Sequence, residues 1–76
     1  MRLDYFGANK VRLIIEDSEF YFSYNTCVAV RNKKGDFRIK APSKTTERHM
    51  RLMGVSRWFL ISEEELAKYF PTTHKS

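Results

Sequence analysis

Val11, Leu13 and Ile15 alternate with Arg12, Ile14 and Glu16, a two-residue period that predicts a strand with one buried face and one mixed face. Residues 2–6 predict an edge strand before it, with Gly7, Ala8 and Asn9 turning the chain. Beyond Asp17 and Ser18 the even positions Phe20, Phe22, Tyr24, Thr26, Val28 and Val30 are almost all apolar. They predict one long strand, or two strands broken near Asn25. Asn32-Lys33-Lys34-Gly35-Asp36 is a turn cluster whose glycine can take positive φ, so residues 28–31 and 37–41 should pair as a hairpin. In its second arm Phe37, Ile39 and Ala41 face one way, Arg38 and Lys40 the other.

Pro42 disfavours a helical residue at Ala41 and ends that strand. Ser43 or Thr45 can then cap a short helix to about Met53, where Gly54 supplies the stop. Met50 and Met53, with Leu52 to one side, form its apolar stripe, and Glu47 and Arg51 stand at ion-pair spacing. Lys44, Arg48 and Arg51 fall on its solvent side. Trp58 to Ile61 predicts a buried strand. Ser62-Glu63-Glu64-Glu65 is a capping box, with three acids at the positive end of a helix dipole. Leu66, Tyr69 and Phe70 continue that helix, Pro71 closes it, and residues 72–76 should fray. The predicted fold is α+β: a small antiparallel sheet of four or five strands with two short helices packed on it, in one domain over residues 1–71.

The chain of 76 residues has room for one domain, because a chain of this size buries only roughly 60% of its unfolded surface. A hydrophobic share of 42%, rich in Phe and Tyr, is too high for a disordered segment. Cys27 is the single cysteine, so disulfide scaffolds and zinc ribbons are excluded and a reducing cytoplasm is expected. No apolar run exceeds four residues, which leaves neither a signal-peptide core nor a membrane-spanning helix.

Charge changes the picture more. The net +5 is uneven: between Arg31 and Arg57 nine basic residues face two acids, a local +7, while the remainder sums to −2. Such asymmetry points to a polyanionic partner. Lys33 and Lys34 on the hairpin, Arg38 and Lys40 on one strand face, and Lys44, Arg48 and Arg51 on the following helix should form one positive surface. That surface would neutralise phosphates in a salt-dependent, largely sequence-independent way. Tyr21, opposite Phe20 and Phe22 on its strand, is a candidate for base stacking.

Catalytic candidates are few, and no catalytic set is assigned. His49 beside Arg48, Arg51 and Lys44 could serve as a base near a phosphate, as in a metal-independent ribonuclease. The competing reading is a histidine making one hydrogen bond into the sheet. No His or Cys lies at ligand spacing from His49, so no metal site is expected, and Gly7, Gly35 and Gly54 stand singly, so no phosphate-binding loop or cofactor is expected. Cys27 is better suited to packing than to nucleophilic chemistry.

Tyr24-Asn25-Thr26-Cys27-Val28-Ala29, followed after the hairpin by Ser43-Lys44-Thr45-Thr46-Glu47-Arg48-His49, resembles a widespread group of short, uncharacterised proteins encoded by bacteriophages, prophages and plasmids. In that group a strand reading Tyr-x-Thr-x-hydrophobic-Ala precedes a helix start reading Ser-x-Thr-Thr-x-basic-His. The resemblance spans about residues 20–53 and implies no reaction. It marks Thr45, Thr46, Arg48 and His49 as family-typical positions. Physically, these four form a candidate anion site at the positive end of the helix, against the alternative of a structural cap.

The expectation is therefore a small phage or mobile-element accessory protein that binds nucleic acid through the basic hairpin and helix. The alternative is an inhibitor that docks the same surface on an acidic host defence protein, of anti-CRISPR or anti-restriction type. No membrane partner is expected, and an exposed sheet edge would admit a second copy.

Overall fold

Tight turns govern the first half of the chain. In the computed structural model, which describes residues 1–70, β1 (Arg2–Gly7), β2 (Lys10–Ile15), β3 (Ser18–Ser23), β4 (Thr26–Asn32) and β5 (Gly35–Arg38) follow one another as antiparallel neighbours. Each connection is two residues long, and Glu16 and Tyr24 enter the left-handed region at φ 54 and 58 to make the turns. The break expected near Asn25 is thus real, and β3 and β4 are separate strands. Expected hairpin residues 39–41 lie beyond β5, although the Ile39 amide still donates to the Val28 carbonyl at 3.0 Å.

The sheet has six strands rather than four or five, and it is not wholly antiparallel. After β5 the chain passes through α1 (Lys44–Met53) and returns as β6 (Phe59–Leu60), which pairs parallel with β5. A helical crossover of this length brings the chain back in the same direction, which a tight hairpin cannot do. The buried strand expected over residues 58–61 is therefore a two-residue margin with Phe59 and Leu60 both exposed. An apolar run on the last strand of a sheet has neighbours on one side only.

Serine caps both helices. Ser43 accepts from the Thr46 amide at 3.2 Å and so resolves the choice between Ser43 and Thr45, and Ser62 accepts from the Glu65 amide at 3.0 Å to open α2 (Glu63–Ala67). Gly54 ends α1 at φ 80, and the Val55 amide closes the turn on the Met50 carbonyl at 2.9 Å. The helices take opposite faces of the sheet. His49 of α1 meets Ser23 on the Tyr21 side, while on the other, just after α2, Tyr69 stacks on Phe37 and Phe70 meets Phe20 edge-on. Met50, Met53 and Val55 join Phe20, Tyr21, Val28, Ala29, Val30, Ile39 and Leu66 in the core. The expected helix stop at Pro71 and the tail 72–76 lie outside the described residues.

Candidate nucleic-acid interface

Arg38 shows how the sheet positions the basic segment. From the end of β5 its guanidinium donates to the Ile39 carbonyl at 2.9 Å, to the Ser56 carbonyl at 2.6 Å and to Glu47 of α1 at 3.3 Å. Only 12% of the side chain is exposed. Glu47 was expected to pair with Arg51 along the helix; it pairs instead across to Arg38, because α1 lies against the end of β5. Arg38 is therefore a tie between strand, helix and the loop before β6.

Around that tie stand cations of another kind. Lys40, Lys44, Arg48, Arg51 and Arg57 are exposed, and none has an ion-pair partner among the described residues. Lys44, Arg48 and Arg51 follow one another at helical spacing along the outer side of α1. Lys40 and Arg57 line a cleft of about 660 Å³ with Arg38, Ser56, Trp58 and Leu60. The Arg38–Glu47 bond joins cleft and helix into one positive end of the molecule.

Lys33 and Lys34 are not part of it. They sit on the β4–β5 turn, the length of β5 away, about 13 Å at the usual rise per residue. There Lys33 pairs with Asp17 at 3.3 Å and Lys34 lies 5.9 Å from the centre of the Tyr69 ring. The continuous seven-residue surface expected from the sequence is thus two separate patches. Tyr21 is not available for base stacking: it is 3% exposed, edge-on to Trp58 at 5.2 Å and stacked with Phe6 at 6.3 Å. Its hydroxyl donates to Glu19, and burial raises its pKa. The face that alternation assigns to polar groups is covered by aromatic side chains that arrive from β1 and from the loop before β6.

Thr45, Thr46, Arg48 and His49 do not converge. Thr45 and Arg48 point outward, whereas Thr46 is buried with its hydroxyl 3.1 Å from that of Ser43, and His49 turns into the sheet. His49 Nδ1 lies 2.7 Å from Ser23 Oγ, and the exposed Tyr24 ring stands over it at 5.3 Å. Burial lowers its pKa, and the nearby positive charges of Lys10 and Arg48 lower it further. A neutral imidazole bonded to a buried serine joins helix to sheet. Cys27 is buried as well, and desolvation pushes its thiol up to about 11.

Arg57, Trp58 and the cleft they share are not legible in the sequence. Arg57 enters only the charge count and Trp58 only the core, since nothing in their spacing links them to Lys40. Trp58 is half-buried, with the Arg31 guanidinium 4.9 Å from its ring centre. Among the described residues no three His, Cys, Asp or Glu side chains are grouped as metal ligands would be, and no helix is long and apolar enough to cross a membrane.

No curated protein and no solved structure matches the chain. A family of unknown function (DUF8033) matches residues 1–64, most of the chain and every element of the sheet. With the sheet, α1 and the basic cleft all inside the matched span, the chain belongs to this uncharacterised family.

Proposed function

We propose that the protein binds nucleic acid through the end of the molecule formed by α1 and the cleft before β6. Lys40, Lys44, Arg48, Arg51 and Arg57 contact phosphates, and Trp58 lies at the cleft wall where a base can approach. The observation that carries this reading is the set of five exposed cations at one end without ion-pair partners among the described residues. A positive surface left unneutralised by its own chain is matched to a polyanion, and binding through it is driven by counterion release. Lys33 and Lys34, a strand-length away, form a secondary contact. The resemblance of residues 24–29 and 43–49 to short phage, prophage and plasmid proteins supports a role as an accessory protein of a mobile element, acting in the host cytoplasm.

A second reading is favoured by the apolar residues beside these cations. Leu52, Phe59 and Leu60 are all more than half exposed, and a rim of cations around exposed apolar groups also suits an acidic protein surface, as an inhibitor of a host defence factor would require.

Trp58 is the only tryptophan, so its fluorescence reports on the cleft directly. Titrating a single-stranded oligonucleotide at low salt should change that emission saturably, with affinity falling linearly in log salt. Absence of binding at low salt would overturn the nucleic-acid reading. Recovery of one stoichiometric protein from nuclease-treated host lysate, abolished when Phe59 and Leu60 are replaced by Ser, would support the second.

A further inference from the structure

At the other margin of the sheet lies β1, and its six residues have β2 on one side and, among the described residues, no strand on the other. Leu3 and Tyr5 project from one face, 51% and 72% exposed, and Phe6 on the opposite face is 40% exposed. Exposed margins of this length are usually shortened, interrupted by proline or lined with lysine, because their free N–H and C=O groups template pairing with another chain. β6 obeys that rule with two residues; β1 does not. Its apolar face also runs on without a break, as Leu3 stands opposite Leu13, Leu13 opposite Phe20, and Phe20 opposite Val30.

The charges on β1 specify what pairs there. Arg2 and Asp4 sit two residues apart on one face with opposite signs, a pattern complementary to itself when the strand is reversed. A two-fold axis through an antiparallel pair must pass between two copies of one residue. Centred on Asp4, it would set two carboxylates opposite each other. Centred on Tyr5, it would run the pairing through the irregularity between Tyr5 and Gly7, where β1 leaves its register with β2. Centred on Leu3, it uses only the regular part of the strand, places each Arg2 opposite Asp4 of the second copy, and closes Leu3 on Leu3.

We propose that β1 is a homodimer interface, joined antiparallel to β1 of a second copy in the register centred on Leu3, so that two six-stranded sheets become one. Within the chain Arg2 and Arg12 both donate to Asp4, at 3.1 and 2.7 Å; in the dimer the exposed Arg2 exchanges its own Asp4 for that of the second copy, while Arg12 keeps its hold. Burial of Leu3 and Tyr5 and the new backbone bonds carry the stability of the dimer. The exposed ion pairs contribute little energy and select the register.

Sedimentation across a concentration series should give a mass rising toward twice the 9.1 kDa of the chain. Arg2→Glu, which sets like charges opposite each other, should weaken the dimer at least about tenfold at low salt. Leu3→Cys should form an intermolecular disulfide under mild oxidation, because directly opposed residues of an antiparallel pair have Cα atoms about 4.5–5.5 Å apart, within disulfide reach. Tyr5→Cys should not, and Cys27 is buried and does not compete. Both positions are more than half exposed, so unchanged circular dichroism verifies folding. A monomer at every concentration overturns the interface, and cross-linking through Tyr5→Cys but not Leu3→Cys overturns the register.

Discussion

At the β1–β2 margin, Arg2 and Arg12 both converge on Asp4, and Arg12 also lies 3.7 Å from Glu19 and over the Phe6 ring. At the α1–β6 end, Lys40, Lys44, Arg48, Arg51 and Arg57 stand without ion-pair partners among the described residues. The first group is satisfied within the chain: its hydrogen bonds to Arg12 and Arg2 lower the pKa of Asp4 and raise that of Arg12. Glu47, the acid on α1 itself, is already occupied by Arg38. A cation count therefore says little about binding until each charge is asked where its counter-charge lies. By that test the two proposed partners fall to different margins of one sheet, the second copy to β1 and the polyanion to the side of α1 and β6.

The largest effect on this contrast should come from Met50→Ala. Met50 is fully buried on the inner face of α1, and its loss should cost about 3 kcal/mol of unfolding free energy in a denaturant titration. Because α1 carries three of the free cations, nucleic-acid affinity should fall with it, while dimerisation through β1 persists in whatever fraction stays folded. Arg38→Gln should come next, at about 2 kcal/mol, since it leaves Glu47 and the Ser56 carbonyl without their donor in a half-buried site. Lys40→Gln, two residues on, should leave stability unchanged and weaken oligonucleotide binding, which sets a structural cation beside a free one.

Replacing Lys44, Arg48 and Arg51 together by Ala should keep stability within about 0.5 kcal/mol, as expected of exposed positions. The same variant should weaken single-strand binding about tenfold and reduce the slope of log affinity against log salt by about 2, at roughly 0.7 for each phosphate left unneutralised. Arg12→Gln should leave that slope unchanged. If it lowers the slope as much as the helix variant, the distinction between paired and free cations fails.

The smallest effect concerns pH. The folded state lowers the His49 pKa, so below about 6.5 the unfolded chain binds the proton more readily. Stability from the neutral Ser23–His49 contact is therefore present above that pH and declines as pH falls through it. His49→Gln should flatten the decline between about pH 7 and 5, a window above the range where carboxylates such as Asp4 titrate. Thermal melts of both proteins across that interval give the comparison.

Local signals read true where they concern neighbours in the chain. Ser43, Gly54 and Ser62 punctuate the helices as their residue types require, and the β4–β5 turn falls on Asn32-Lys33-Lys34-Gly35. The site was legible in part. Charge density drew attention to residues 31–57, and helical spacing put Lys44, Arg48 and Arg51 outside. Three expectations failed for one reason: Glu47 pairs across the fold, Tyr21 is covered by Trp58 and Phe6, and of residues 58–61 only Phe59 and Leu60 form a strand, at an exposed margin. Each depends on what a distant segment brings alongside, and periodicity carries no record of that.

What the sequence by itself determined is the alternation that makes strands, the caps that bound helices and the concentration of positive charge in one stretch, because each follows from the chemistry of residues close in the chain. Tertiary structure decided which cations are spent inside the fold and which remain available. It also decided that β5 and β6 run parallel beneath α1, and that β1 is left at the margin with its charges alternating. Those outcomes rest on pairings such as Arg38 with Glu47 and Ser23 with His49, made between segments that meet only when the sheet and α1 pack.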